Sequence, residues 1–207
     1  AITKKEAKAA RKEDLGLVYT QGGNSSVMAA YFKDQVKKEL VTWKEASGKD
    51  VNLYSDGLKV YTTLDGRMQR YAEKAVTEHL SNLQVDFNRE FKKSKSPFEQ
   101  FPQILQNEMK KSWRWKSSEK EGMSDKEIKA SFKEKTSMRV FTWDKGMVDT
   151  VMTPLDSIIY HQKFLQTGFM SMDPKTGEIK AWVGGIGYDQ FKYDHVRQGK
   201  RQVGSTF

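Results

Sequence analysis

Apolar residues recur at three- and four-residue intervals after Asp65-Gly66, where Met68, Tyr71, Ala72, Ala75, Val76, His79, Leu80, Leu83 and Phe87 follow a helical repeat. The spacing predicts a long helix with an apolar stripe facing a core. Just upstream, residues 58–64 (LKVYTTL) alternate with period two and are rich in β-branched and aromatic side chains. They follow the turn residues Ser55-Asp56-Gly57, and together these signals predict a strand. A further amphipathic run covers 27–43 after Ser26 and is broken at Ser47-Gly48-Lys49-Asp50. At the start, 3–13 (TKKEAKAARKE) reads as a short helix with Thr3 as N-cap and Glu6 as its capping-box partner.

Residues 92–136 change character. They are rich in Lys, Ser and Glu around Pro97 and Pro102, with Phe98, Phe101, Ile104, Leu105, Met109 and Trp113 at helical spacing. The pattern predicts one short amphipathic helix, a polar connection through Gly122 and another helix from near Ser124, together a helical insertion. Two hairpins follow. Residues 138–143 and 147–153 alternate about Asp144-Lys145-Gly146, a three-residue loop with glycine at the left-handed position. Residues 169–173 and 178–183 flank Pro174-Lys175-Thr176-Gly177, with proline at the first corner and glycine at the last. Between them, Thr153-Pro154-Leu155-Asp156 caps a helix presenting Leu155, Ile158, Ile159, Gln162 and Leu165. Beyond Gly184-Gly185-Ile186-Gly187 the chain is polar and loop-like. The sum is an α+β protein: a small mixed module with β-hairpins, a long amphipathic helix and a helical insertion.

At 207 residues the chain has room for about one to one and a half domains and a buried core. It carries 36 Lys+Arg against 27 Asp+Glu, a formal charge of +9. Without cysteine there is no disulfide framework, no thiolate nucleophile and no Cys-based metal site. His79, His161 and His195 are far apart in sequence, so no histidine metal site is expected. No apolar run approaches the roughly 18 residues of a membrane-spanning helix.

Three motifs bear on chemistry. Lys110-Lys111-Ser112-Trp113-Arg114-Trp115-Lys116 interleaves cations with indoles, which suits a nucleic-acid strand or an anionic membrane surface. It also suits a helix whose tryptophans pack while its cations are solvated. Glu108, Glu119 and Glu121 dilute the local field, no nucleic-acid module surrounds it, and nucleic acid is not the expected partner. Lys175-Thr176-Gly177 matches a catalytic tripeptide of serine acyl enzymes, but there it follows the nucleophile, and here it precedes the candidate and occupies a hairpin bend. No catalytic role is assigned to it. In Gly204-Ser205-Thr206-Phe207, Ser205 would be the first member of a Ser-x-x-Lys pair, in which a lysine one helical turn on removes the hydroxyl proton.

The run from Gly168 through Asp173-Pro174-Lys175-Thr176-Gly177 and Ala181-Trp182-Val183-Gly184-Gly185, then Arg201-Gln202-Val203-Gly204-Ser205-Thr206-Phe207, resembles the entry to the transpeptidase domain of class A penicillin-binding proteins. Gly57-Leu58-Lys59-Val60-Tyr61-Thr62-Thr63-Leu64-Asp65 is similar to that family's linker strand leading into its long helix. Ile2-Thr3-Lys4-Lys5-Glu6-Ala7 is similar to the segment closing its glycosyltransferase domain. The three stretches stand in the family's order. Val203 departs from the proline usual before Gly-Ser, and Tyr193-Asp194-His195-Val196 from an Asn-Arg-Ala type stretch.

The resemblance implies a division into 1–45, the end of a glycosyltransferase domain and helical linker; 46–91, linker strand and long helix; 92–136, basic insertion; 137–167, hairpin and helix; and 168–207, the truncated start of a transpeptidase domain. It implies a fragment of a bifunctional peptidoglycan synthase on the periplasmic side of a bacterial inner membrane, the parent being anchored upstream and the fragment itself soluble. The parent would act on lipid-linked disaccharide and on peptidoglycan stem peptides, with Ser205 attacking the penultimate D-Ala carbonyl and penicillin acylating the same oxygen. No cofactor or metal is implied. The base lysine would lie past Phe207, so the fragment alone is expected to be inactive and to space two catalytic domains. Residues 92–136 would meet a membrane surface or a synthase partner. The alternative from another class is a stand-alone basic module binding nucleic acid or another anionic polymer through 92–136, with salt-dependent affinity as its signature.

Overall fold

The computed structural model describes residue 3 and residues 28–93 and 97–200. Helix α1 spans Ala30–Ser47 and α2 spans Gly66–Phe91. Four short helices follow: α3 Pro97–Gln100, α4 Pro102–Lys111, α5 Trp113–Lys120 and α6 Asp125–Ser131. Strands β1 Thr136–Thr142 and β2 Gly146–Met152 form an antiparallel hairpin, α7 runs Pro154–Gln162, and β3 Phe169–Met172 pairs with β4 Ile179–Val183 in a second hairpin. The α+β class read from the pattern is the observed one. The expected helix at 3–13 lies outside the described residues, Thr3 apart.

Local signals fix the helix starts. Asp65 caps α2, its Oδ1 accepting from the backbone N–H groups of Arg67 at 2.8 Å and Met68 at 3.1 Å. Those bonds, Met68's first, hold its carboxyl below the usual carboxylate range. Ser124 and Glu127 form a reciprocal capping box on α6. Thr153 caps α7 with Pro154 in the first turn, where a missing N–H costs nothing.

Among the described residues the hydrophobic core falls into two clusters. One joins Met109, Trp115, Ile128 and Phe132 from α4 to α6 and the residue just beyond, with Leu155 and Ile158 of α7 packed against it. The other joins Ala72 of α2 to Ala181 and Val183 of β4. A chain of rings ties the first hairpin to the segment beyond β4: Phe164 lies 5.4 Å from Phe141 on β1 and 5.6 Å from Phe191, centroid to centroid.

Two features differ from the sequence pattern. Of the expected stripe on α2, Ala72 and Leu80 are buried and Val76 packs on the core, whereas Met68, Tyr71 and Leu83 are exposed and the inward face also takes in Gln69 and Gln84. The inward face is ordered by amides as well as hydrocarbons. Gln69 Oε1 accepts the Trp182 N–H at 2.7 Å and its Nε2 donates to the Trp182 carbonyl at 2.9 Å, closing the β4 edge as another strand would. Gln84 repeats the arrangement, accepting from Leu165 N at 2.9 Å and donating to the Lys163 carbonyl at 2.9 Å.

The other difference is 58–64, predicted as a strand, which follows an irregular path without a ladder. It hydrogen-bonds to β4 at its end, through Thr63 Oγ1 to the Ile179 carbonyl at 2.9 Å and the following Asp65 N–H to the Lys180 carbonyl at 3.0 Å. Alternation supplies a face, but a strand needs a run of edge partners, and Gln69 already occupies the Trp182 groups farther along β4.

Candidate functional site

Polar groups converge on the segment that leaves β4. After Val183 the backbone passes beneath the ring of Tyr31, held out from α1, and glycine is required there. A Cβ on Gly184 would stand 2.6 Å from Asp194 Oδ1 and 2.7 Å from the Tyr31 ring, closer than real contacts allow. The Tyr31 hydroxyl donates to the Phe191 carbonyl at 2.6 Å, and its ring meets Tyr188 edge-on at 5.1 Å. Burial pushes the Tyr31 phenol up to about 12, the nearby Asp194 carboxylate acting in the same direction. Tyr188 is likewise pushed up to about 12 by burial and by its hydrogen bond to Asp34.

Asp194 anchors the return of the chain. Its Oδ2 accepts from the Trp182 indole N–H at 3.0 Å, and its Oδ1 accepts the backbone N–H groups of Val196 at 2.9 Å and Arg197 at 3.2 Å. The His195 N–H donates to the Gly184 carbonyl at 2.7 Å. Gly168, at the entry to β3, faces the His195-Val196 backbone so closely that a Cβ would come within 2.9 Å. Residues 184–200 are therefore a built frame. Three donors engage the two Asp194 oxygens, so this carboxylate organises backbone.

Ser205, the candidate nucleophile, lies outside the described residues, so the structure does not report its surroundings. Four residues of sequence separate Lys200 from Ser205. Lys175-Thr176-Gly177 sits at the bend between β3 and β4: Asp173 Oδ1 accepts from Lys175 N at 2.8 Å and Thr176 N at 3.0 Å, and Gly177 has φ 75°. The tripeptide shapes a turn.

The basic cluster splits. Trp115 is 4% exposed and packs on Phe132, whereas Trp113 is 82% exposed. One indole is thus structural, and no continuous stacking strip is formed. Among the described residues no group of three or more His, Cys, Asp or Glu could hold a metal ion, and no helix is long and apolar enough to cross a membrane. Sequence reading missed Tyr31, Gln69 and Asp194. The adjacent glycines 184 and 185 were the only local sign of close backbone approach.

Comparison with known proteins matches residues 90–165 to the penicillin-binding protein middle domain. The span runs from the end of α2 through α7 and takes in the helical stretch 92–136 together with the first hairpin. Penicillin-binding protein 1A of Rickettsia typhi is 27% identical over 201 residues, covering 87% of this chain and 25% of that protein. Penicillin-binding protein 2D of Bacillus subtilis is 30% identical over 139 residues, 67% of this chain and 18% of that protein. A shorter stretch of 42 residues is 45% identical to penicillin-binding protein 1A of Pseudomonas aeruginosa, covering 20% of this chain and 5% of that protein. The chain spans about a quarter of the length of the Rickettsia relative. No solved structure matches the chain. The chain belongs to the penicillin-binding proteins, in their class A branch.

Proposed function

We propose that this chain is the structural segment joining the two catalytic domains of a bifunctional cell-wall synthase, and that Ser205 is the acyl nucleophile of the parent protein. The observation that supports this reading is the family match over 90–165, followed along the sequence by the frame at 184–200 and then Gly204-Ser205. The upstream domain polymerises lipid-linked disaccharide and the downstream one cross-links stem peptides. Ser205 Oγ attacks the penultimate D-Ala carbonyl, its proton passing to a lysine at the third position after it. An ester forms, the terminal D-Ala leaves as the amine, and an acceptor amine then releases the serine. A β-lactam acylates the same oxygen by opening its ring amide. The chemistry uses no cofactor or metal. The synthesis takes place at the periplasmic face of the inner membrane.

In this reading the 207 residues alone are silent, because the acyl base, the oxyanion donors and the acidic residues of the glycosyltransferase belong to the rest of the parent. Labelling with a fluorescent penicillin tests it. The parent protein is expected to label and Ser205→Ala to abolish the label, while the 207-residue chain takes up none. Label retained in the Ser205→Ala parent removes the nucleophile assignment, and label on the short chain removes the claim of silence.

A further inference from the structure

Between α5, the first hairpin and α7 lies a cleft of about 310 Å³, at the lower end of the size range for small-ligand sites. Among the residues that line it are Arg114, Arg139, His161, Thr136 and Ser137, and none is acidic; along β1, Thr136 faces one side of the hairpin and Ser137 and Arg139 the other. Apolar side chains, Phe132 and Ile158 among them, form the rest of the wall. Arg114 is half-buried and has no hydrogen-bond or ion-pair partner among the described residues. Arg139 Nε stands 3.7 Å from Asp149 Oδ1, beyond hydrogen-bond reach, and both side chains are exposed, so this pair holds the guanidinium weakly. His161 donates its Nδ1–H to the Ser157 carbonyl at 2.8 Å, which orients the ring at the cleft wall. The nearest acid on α7, Asp156, is engaged by Thr153 Oγ1 at 2.7 Å.

A partly desolvated, unpaired guanidinium is costly unless an anion meets it. A planar fork suits a tetrahedral oxyanion that offers several acceptor oxygens at once. We propose that this cleft binds a phosphoryl anion, carried on a soluble phosphate ester or on a lipid headgroup, with Arg114 as its principal ligand. The site belongs to the middle-domain region and does not depend on the role of Ser205.

The test is a titration of the 207-residue chain, followed by backbone amide resonances, with inorganic pyrophosphate and, separately, with phosphatidylcholine vesicles with and without phosphatidic acid. Saturable shifts at Arg114, Thr136, Ser137 and Arg139 are expected. Arg114→Gln should weaken binding at least about tenfold, and Arg114→Lys, which keeps the charge without the fork, about threefold. Should Arg114→Gln disturb folding, the lysine variant and the wild-type shift map still decide. Binding of pyrophosphate identifies a soluble ester as the source, and binding only of phosphatidic acid vesicles with the same Arg114 dependence identifies a headgroup. No shift with either probe overturns the proposal. So does an equal loss on substituting Lys110 and Lys111 by Gln, because affinity would then come from the diffuse charge of α4.

Discussion

Replacing Gln69 by leucine isolates the most concentrated polar interaction in the fold. Gln69 is 0% exposed, and its amide satisfies both backbone groups of Trp182 as well as donating to Glu73 Oε1 at 2.8 Å. Leucine has nearly the same reach but no polar atoms, so the Trp182 N–H and carbonyl would be left unpaired in the interior. Each such group costs about 1–3 kcal/mol, and the extra buried hydrocarbon returns part of that, leaving a net loss of about 3 kcal/mol. With a denaturant slope of about 2 kcal/mol per molar urea, the midpoint should fall by about 1.5 M. Hydrogen exchange at the Trp182 amide should lose its protection in the same variant. Gln69→Glu should be at least as damaging, since a carboxylate still accepts the Trp182 N–H but turns a second acceptor on the carbonyl. A Gln69→Leu midpoint within about 0.3 M of wild type, with the Trp182 amide still protected, would refute the view that α2 completes the β4 edge.

Two further outcomes follow from the frame beyond β4. Gly184→Ala should lower the urea midpoint by the equivalent of about 1–3 kcal/mol, because the added methyl meets the Tyr31 ring and the Asp194 carboxylate, both held by their own hydrogen bonds. Pairing it with Tyr31→Phe, which removes only the hydroxyl, should not rescue it. In alkaline titration followed at the phenolate absorbance, Tyr31 and Tyr188 should ionise near 12. Their folded-state values lie above the ordinary tyrosine value, so their contribution to stability is complete below about pH 10 and lost as pH rises through about 12. Tyr31→Phe should flatten that loss, and an unchanged alkaline slope would count against burial as its cause.

The parts of this fold legible in the sequence are those set by neighbours a few residues apart. Asp65, Ser124 and Thr153 cap helices because their acceptors reach only to the following turn, and the bends at Gly146 and Gly177 take the positive φ that glycine permits. What escaped the reading depends on partners 79 to 160 positions away. Gln69 and Trp182 are 113 residues apart, Gln84 and Lys163 79, and Tyr31 and Phe191 160. Nothing in a helical repeat marks a glutamine as inward-facing, so the stripe contains the buried Ala72 and Leu80 but omits Gln69 and Gln84 on the same face. The 58–64 stretch has the alternation of a strand, but pairing is decided by the edge it meets. Of the candidate site, the paired glycines gave a local sign, whereas Asp194 reads as an ordinary loop carboxylate until Trp182 is set beside it.

The two glutamines of α2 have a mechanical meaning. They are fifteen positions apart, about 22 Å along a rigid rod, and each clasps main chain: Gln69 the second hairpin, Gln84 the turn that follows α7. A pull on one of these attachments is passed to the other as rigid displacement, with little slack between. The long helix thus works as a tie bar, fixing the distance between two parts of the molecule whose sheets share no strand.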